Sequence, residues 1–188
     1  MKNLLHCHTK NVHSFPLSYQ DGLYKRIFVA TEIHNLWRSC EIAIHPHHVD
    51  LKITVLEGVL YNSLFRVVND EAYLYVDRFK KYKWNSHILN GSGSFEFIGE
   101  EDLQLLDSLE YEPFESFTMK ACELHTVQVA QNKKCVWMVE EFKPSCEYSG
   151  FNYSHHDLTE WKSDGLYIEV DDSVAEEYIG KYRKVLNI

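Results

Sequence analysis

Short runs of aromatic and β-branched residues, separated by turn-forming residues at intervals of about 8 to 12 positions, constrain this chain most strongly. Aromatic residues make up 14% of its 188 residues, whereas it has only four prolines and eight glycines. Such runs favour strands, because branched and aromatic side chains pack well on a pleated surface. The spacing is typical of antiparallel hairpins in a sandwich or barrel. We therefore predict an all-β fold, with strands at residues 23–30, 39–47, 51–56, 59–68, 72–84, 94–99, 116–120, 124–129, 135–142 and 166–170.

Two other segments have a weaker pattern. Residues 100–115 are acidic, and the four leucines within them fit a short helix as well as a strand. Residues 144–156 combine proline, glycine, serine and asparagine, which predicts a loop.

The chain reads as one domain spanning residues 1–188, because no linker, internal repeat or low-complexity tract divides it. Residues 1–20 mix polar and apolar types without a clear period, which predicts an irregular arm. A barrel over about residues 23–170 follows. Ser173 with a glutamate three residues on forms a capping box, so we predict a C-terminal helix over about residues 173–186.

Acidic residues outnumber basic ones, since 28 Asp and Glu face 19 Lys and Arg and the net charge is −9. Affinity for nucleic acid comes mainly from cations placed on phosphates, so this balance argues against a nucleic-acid partner. It also disfavours docking on anionic membranes. No run approaches the roughly 18 apolar residues that a membrane-spanning helix needs. Polar residues interrupt positions 1–8 too early for a signal peptide.

The cysteines are odd in number and form no Cys-x-x-Cys pair; they are Cys7, Cys40, Cys122, Cys135 and Cys146. This usage is typical of reduced thiols in a cytoplasmic protein. We therefore expect five free thiols and a cytoplasmic location.

Histidines supply the most informative chemistry. One residue separates His45 from His47, and side chains two apart in a strand point to the same face. They would converge on the inner wall of the barrel as half of a metal site, and His125, in another alternating stretch, is available as a third ligand. Neutral imidazole suits iron, zinc, nickel and copper, and three such ligands leave positions open for substrate. His48 and Asp50 are candidates for a fourth ligand if the turn is distorted.

These residues resemble the cupin superfamily, a jelly-roll barrel whose first motif is G-x5-H-x-H-x3–4-E-x6-G. His45, His47 and Gly58 match that motif, and His125 matches the histidine of the second motif. Leu51 stands where the family has its glutamate, so the resemblance implies a site of three histidines. Such a site is similar to that of the thiol dioxygenases typified by cysteine dioxygenase, which hold iron(II) and bind substrate thiolate and oxygen at the open positions.

The resemblance covers about residues 38–142 and departs from the thiol dioxygenases on the strand after the third histidine, where their Ser-x-His-x-Tyr is missing. Their carboxylate-binding arginine would be Arg26. Strand parity points Glu141 inward, where it would orient a histidine, although a position at the strand end in water is equally open. The two motifs lie further apart than is usual in the family, which predicts an inserted hairpin near residues 70–110.

The resemblance implies a non-haem iron(II) dioxygenase acting on a small thiol or anionic metabolite. His45, His47 and His125 would hold Fe(II), with Zn, Mn or Ni as compatible metals, and Glu141 and Arg26 would be the catalytic residues. Two alternatives stay open: a non-redox metal cupin such as an isomerase or decarboxylase, and a non-catalytic cupin that binds or sequesters a small ligand. The expected partner is a small molecule, and a homodimer formed through an outer strand is also open.

Overall fold

A computed structural model of the protein describes residues 2–7, 11–31, 44–68, 76–84, 94–130, 133–147, 150–159 and 165–186. These residues form twelve strands and one helix, which are β1 (Asn3–Leu5), β2 (Val12–Gln20), β3 (Leu23–Ala30), β4 (Asp50–Glu57), β5 (Leu60–Val67), β6 (Val76–Trp84), β7 (Phe95–Tyr111), β8 (Ser116–Met119), β9 (Leu124–Val129), β10 (Cys135–Phe142), β11 (Phe151–Ser154), β12 (Ile168–Val170) and α1 (Asp172–Leu186). The predicted all-β class with a C-terminal helix is confirmed. No helix in the described residues is long and apolar enough to cross a membrane.

The strands form two antiparallel sheets. The larger has the order β12-β1-β2-β3-β10-β4-β8, and the smaller has the order β11-β6-β7-β5-β9. Isolated bridges pair Ile44 with Tyr153 of β11 and His45 with His125 of β9. Residues 44–45 therefore link the two edge strands of the smaller sheet and curl it towards a closed barrel.

The main core lies between the two sheets. On β4 the side chains of Leu51, Ile53 and Val55 are buried, while the residues between them are more exposed. This alternation is expected of a strand with one face on a core. These side chains pack with buried residues from both sheets, among them Leu60, Phe117, Val129, Trp137 and Val139.

The opposite face of the larger sheet is covered by α1. Phe15 of β2 and Ile27 of β3 pack against Ala175 and Ile179 of the helix. Because apolar side chains cover both faces of the sheet here, the first five residues of β10 form a continuous apolar run rather than an alternation.

His13 of β2 is buried beneath the same helix, with its ring centroid 4.9 Å from that of Tyr178. Burial, with a smaller contribution from His6, lowers the pKa of His13 to about 4. The imidazole is therefore neutral at pH 7, and its Nδ1 accepts a hydrogen bond from the backbone N–H of His6 at 3.2 Å.

The cap of α1 differs from the prediction. Oδ1 of Asp171 accepts hydrogen bonds from the backbone N–H groups of Ser173 and Val174, each at 3.1 Å, and from the Ser173 hydroxyl at 2.6 Å. The predicted capping box of Ser173 with Glu176 is therefore wrong, and Glu176 instead pairs with Arg183. A carboxylate suits this position, because it accepts from unpaired N–H groups at the positive end of the helix.

The prediction of an irregular arm over residues 1–20 is wrong. β1 pairs with β12, and β2 pairs with β3 along nearly its whole length. The first five residues of β2 are all buried, so its sequence lacks the alternation that marks a strand with one face in water. The folded sheet therefore extends further towards the N-terminus than the predicted barrel over residues 23–170.

Two further segments resolve into strands. Residues 95–111 form the single strand β7, which pairs with β6 along its first part and with β5 along its second, so the helix alternative for residues 100–115 is wrong. β6 and β7 are antiparallel, as the predicted hairpin near residues 70–110 requires. Within the predicted loop 144–156, β11 forms because it pairs with β6. Residues 39–43 of the predicted strand 39–47 lie outside the described residues.

Candidate metal centre

The structure brings together the three histidines that the sequence nominates. One ring nitrogen from each of His45, His47 and His125 lies within 4.8 Å of the other two. The ring centroids are 4.9 Å apart for His45 and His47, 5.1 Å for His45 and His125, and 4.8 Å for His47 and His125. Three imidazoles at this separation can direct their lone pairs at one ion.

Backbone pairing sets two of the three positions. The N–H of His45 donates to the carbonyl of His125 at 2.9 Å, and the N–H of His125 donates to the carbonyl of His45 at 3.1 Å. Residues 46–49 are not in a strand. The predicted reason for the position of His47, a strand continuing to residue 47, is therefore wrong, and its N–H instead donates to the carbonyl of Ala121 at 3.0 Å.

Burial and neighbouring charge keep His125 neutral. The residue is 3% exposed. Burial, together with His47 and His45, holds the pKa of His125 well below its usual value. A neutral imidazole keeps a lone pair for a metal, whereas an imidazolium has none.

Asn62 of β5 contacts the buried side of His125. Its Oδ1 lies 2.7 Å from Nδ1 of His125, and Nε2 of His125 lies 2.7 Å from Nε2 of His47. Sequence reasoning did not identify Asn62 as a functional residue. A signal was nevertheless present, since Asn62 is the polar residue between Leu60 and Leu64 on the core face of a predicted strand.

The two residues considered for a fourth ligand take other places. His48 is exposed. The carboxylate of Asp50 accepts hydrogen bonds from the backbone N–H groups of Ala121 at 2.7 Å and of Ser145 at 3.2 Å. A hydrogen bond with the Ser145 side chain, followed by that from Ala121, lowers the pKa of Asp50. Within the described residues, the three histidines are the one group of three or more His, Cys, Asp or Glu side chains whose ligand atoms all lie within 4.8 Å of one another.

A disulfide joins Cys122 to Cys146, with their Cα atoms 5.8 Å apart. It corrects the prediction that all the cysteines are reduced thiols, although Cys7 and Cys135 are free and buried. The bridge and Asp50 together tie the turn that precedes β9 to the segment that follows β10. That turn also holds the backbone of His47, so the junction braces the histidine cluster from outside.

Arg26 and Glu141, the predicted catalytic pair, lie on the core face of the larger sheet. Nη1 of Arg26 donates to Oγ of Ser14 at 3.3 Å, and the guanidinium stacks 4.0 Å above the ring of Tyr24. Oε2 of Glu141 accepts from the backbone N–H of Tyr24 at 2.8 Å. Burial raises the pKa of Glu141, while the Tyr24 N–H and the charge of Arg26 oppose that rise.

The strand register locates Arg26 and Glu141 relative to the segment that carries His45 and His47. Glu141 lies opposite Leu51 of β4, and Arg26 lies opposite Val139 of β10. β4 begins directly after the segment that carries His45 and His47. Arg26 and Glu141 therefore lie near the end of the inner face at which β4 begins, directly after the segment with His45 and His47.

No family model matches this chain. No curated protein matches it either.

Among solved structures, the hydroxypropylphosphonic acid epoxidase from S. wedmorenis has a TM-score of 0.46 and 10% identity, over 75% of this chain and 55% of that one. Hydroquinone 1,2-dioxygenase from Sphingomonas sp. TTNP3 has a TM-score of 0.42 and 8% identity, over 84% and 74% of the two chains. KdgF from Halomonas sp. has a TM-score of 0.39 and 9% identity, over 70% and 80%. Similarities at this level carry no argument about activity, which therefore depends on the geometry of the site.

Proposed function

We propose that His45, His47 and His125 form a cupin-type metal centre, and that the protein is a non-haem iron(II) dioxygenase acting on a small thiol or anionic metabolite. The observation that carries this proposal is the approach of three imidazole nitrogens to within 4.8 Å of one another. Placing three histidines together in a half-buried position has no evident benefit for packing, because each imidazole brings polar atoms that need partners.

The donor set fits a first-row divalent metal. Neutral imidazole suits iron, zinc, nickel and copper, and three protein ligands leave coordination positions free. When bound, iron(II) would supply those positions for dioxygen and a chelating substrate. We favour iron on the resemblance to three-histidine thiol dioxygenases, and zinc, manganese or nickel would instead serve the non-redox alternative.

Arg26 is our candidate for holding an anionic group of the substrate. A guanidinium offers five N–H donors, and the described residues show one hydrogen bond from Arg26, to Ser14. The remaining donors make no hydrogen bond within the described residues and would bind a carboxylate, and the Tyr24 ring below holds the guanidinium in place.

Glu141 is our candidate for handling a proton beside that anion. Its raised pKa brings the carboxyl closer to the range in which it exchanges protons near neutral pH. The apolar side chains of Leu51, Met119 and Val127 belong to the same core and would exclude water from the bound substrate.

Metal content tests the centre first. Metal-free protein titrated without oxygen should bind about one Fe(II) per chain, and His45→Ala should lower the affinity by at least about tenfold. His156→Ala is the matched control, because His156 is exposed and lies outside the cluster. A wild-type protein that binds none of Fe(II), Zn(II), Mn(II) or Ni(II) would contradict the metal centre and favour a ligand-binding module.

Oxygen uptake tests the reaction. Iron-loaded protein should consume oxygen with at least one compound in a panel of small thiols and anionic metabolites. Arg26→Gln should then raise the KM for that compound by at least about tenfold with unchanged metal content. Lys25→Gln is the control, since Lys25 pairs with Glu140 on the neighbouring strand. Tight zinc or manganese binding without oxygen uptake would contradict the dioxygenase and support a non-redox metal cupin.

A small molecule as partner, a cytoplasmic location and a homodimer remain proposals from the sequence. Light scattering on the purified protein would distinguish a monomer of 22.2 kDa from a dimer of twice that mass.

A further inference from the structure

Asn62 lies beside His125 on the core face of the smaller sheet. Leu64 pairs with His125 across β5 and β9, and Asn62 is two residues from Leu64, so Asn62 and His125 share one face. Asn62 and His125 are each 3% exposed. Water is therefore largely excluded from the 2.7 Å contact between Oδ1 and Nδ1.

The contact decides which nitrogen of His125 carries the proton. An amide oxygen accepts, so it pairs with Nδ1–H and leaves Nε2 as a bare lone pair. If the amide were turned over, its nitrogen would donate to Nδ1 and the ring proton would lie on Nε2. A neutral imidazole that binds a metal through Nε2 must carry its proton on Nδ1.

The contact of Nε2 of His125 with His47 is compatible with a proton on Nδ1 of His125. Nε2 of His125 lies 2.7 Å from Nε2 of His47, and two bare nitrogens would repel each other at that distance. One of the two therefore carries a proton in the metal-free protein. With Nδ1–H on His125, that proton belongs to His47, which donates to His125.

We propose that Asn62 is a positioning residue that holds His125 in the Nδ1-protonated tautomer and so presents Nε2 to a metal ion. This inference rests on the metal centre proposed above. Outer partners of metal-binding histidines fix the tautomer and the ring orientation, and their loss typically costs 10- to 100-fold in metal affinity.

Asparagine rather than a carboxylate at position 62 also affects the charge of the proposed metal site. Neither the three histidines nor Asn62 carries a negative charge at neutral pH, so a divalent ion held there keeps its full charge towards a ligand. That arrangement suits an anionic substrate, in agreement with the substrate class proposed above. An aspartate would accept the same hydrogen bond but would offset part of the charge.

The tautomer can be read directly in metal-free protein by long-range proton–nitrogen correlation spectra of the histidine rings. Wild type should show His125 protonated at Nδ1. Asn62→Leu removes the acceptor and should shift the ring to the Nε2-protonated form. Asn62→Asp retains an acceptor oxygen and should restore the Nδ1-protonated form.

Metal affinity gives the second readout, measured with Zn(II) in competition with a chelator. Asn62→Leu should bind Zn(II) roughly 10- to 100-fold more weakly than wild type, whereas Asn62→Asp should bind at least as tightly. Ser63→Ala is the matched control, because Ser63 is also buried in β5 but its hydroxyl bonds to Ser108. It should change the affinity less than threefold.

Two results would overturn the inference. One is an Asn62→Leu protein that keeps the Nδ1-protonated ring and the wild-type affinity. The other is an equal loss of affinity in Asn62→Leu and Ser63→Ala, which would mean a general effect on β5. If wild type binds no metal at all, the proposed function fails, and the spectra of metal-free protein still decide separately whether Asn62 sets the tautomer.

Discussion

Removing the Cys122–Cys146 disulfide should destabilise the protein by a calculable amount. The cysteines are 24 residues apart in the sequence. For a closed loop of that length, chain entropy predicts a loss of about 3.5 kcal/mol on replacing both by serine. This is a large part of the 5–15 kcal/mol that stabilises a typical domain, yet it leaves the variant folded.

Urea unfolding followed by circular dichroism measures this change. With a slope of about 2 kcal/mol per molar urea, the midpoint of Cys122→Ser/Cys146→Ser should fall by roughly 1.7 M. A thiol reductant should lower the wild-type midpoint by a similar amount and leave the double variant unchanged. That comparison separates loss of the crosslink from the effect of serine itself.

The same variant tests whether the bridge braces the proposed metal centre. Ala121 precedes Cys122, donates to Asp50, and accepts the hydrogen bond from the His47 backbone. A looser turn should therefore weaken metal binding by roughly tenfold. The reasoning is refuted if both thiols react with an alkylating agent in the native oxidised protein, or if the double variant is as stable as wild type.

Substitutions of Gly58, His13 and Asp171 have expected outcomes, and those of Gly22 and Ser173 are controls. Gly58→Ala should destabilise the fold by more than about 2 kcal/mol, because φ is +79° and a Cβ would overlap a backbone carbonyl before β10. Gly22→Ala, at φ +86° with open space around it, should cost only about 1 kcal/mol. Equal losses in urea unfolding would refute this prediction. The pKa of His13 is about 4 in the folded protein and near 6.5 in the unfolded chain. Its neutral ring therefore contributes about 3 kcal/mol to the free energy of unfolding above pH 6.5, and this contribution is lost as the pH falls towards 4. His13→Phe should flatten the stability profile over that window, and an unchanged slope would argue against it. Asp171→Ala should cost about 1 kcal/mol as the cap of α1, and Ser173→Ala much less; the reverse order in thermal unfolding would restore the capping box.

Local pattern predicts most of the central strands. β3 begins and ends where its apolar run does, and β4, β9 and β10 lie within a residue or so of their predicted limits. In all four strands branched and aromatic residues favour the extended conformation, and in β4 the alternation of burial agrees with that preference. The prediction failed for β2, because the buried His13, Ser14 and Pro16 leave it neither an alternation nor an apolar run. It failed for β11, because four residues become a strand only when β6 lies beside them.

The histidines show the same difference between what local sequence predicts and what contacts between distant residues decide. His45, His47 and His125 are recognisable from spacing and residue type, since few other side chains offer a neutral nitrogen ligand. The reason that His47 joins them was not recognisable. It depends on a hydrogen bond to Ala121, which lies 74 residues further along the chain.

By itself, the order of residues determined the fold class and the sites of most strands, because these depend on side chains close together in the chain, and it nominated the three histidines through their residue type and local spacing. Tertiary structure alone decided that Asn62 faces His125, that Cys122 meets Cys146 and that Asp50 accepts hydrogen bonds from Ala121 and Ser145. The physical reason is register: a slip of one residue between paired strands turns every side chain to the other face, so contacts between distant segments follow from the packing of the whole sheet.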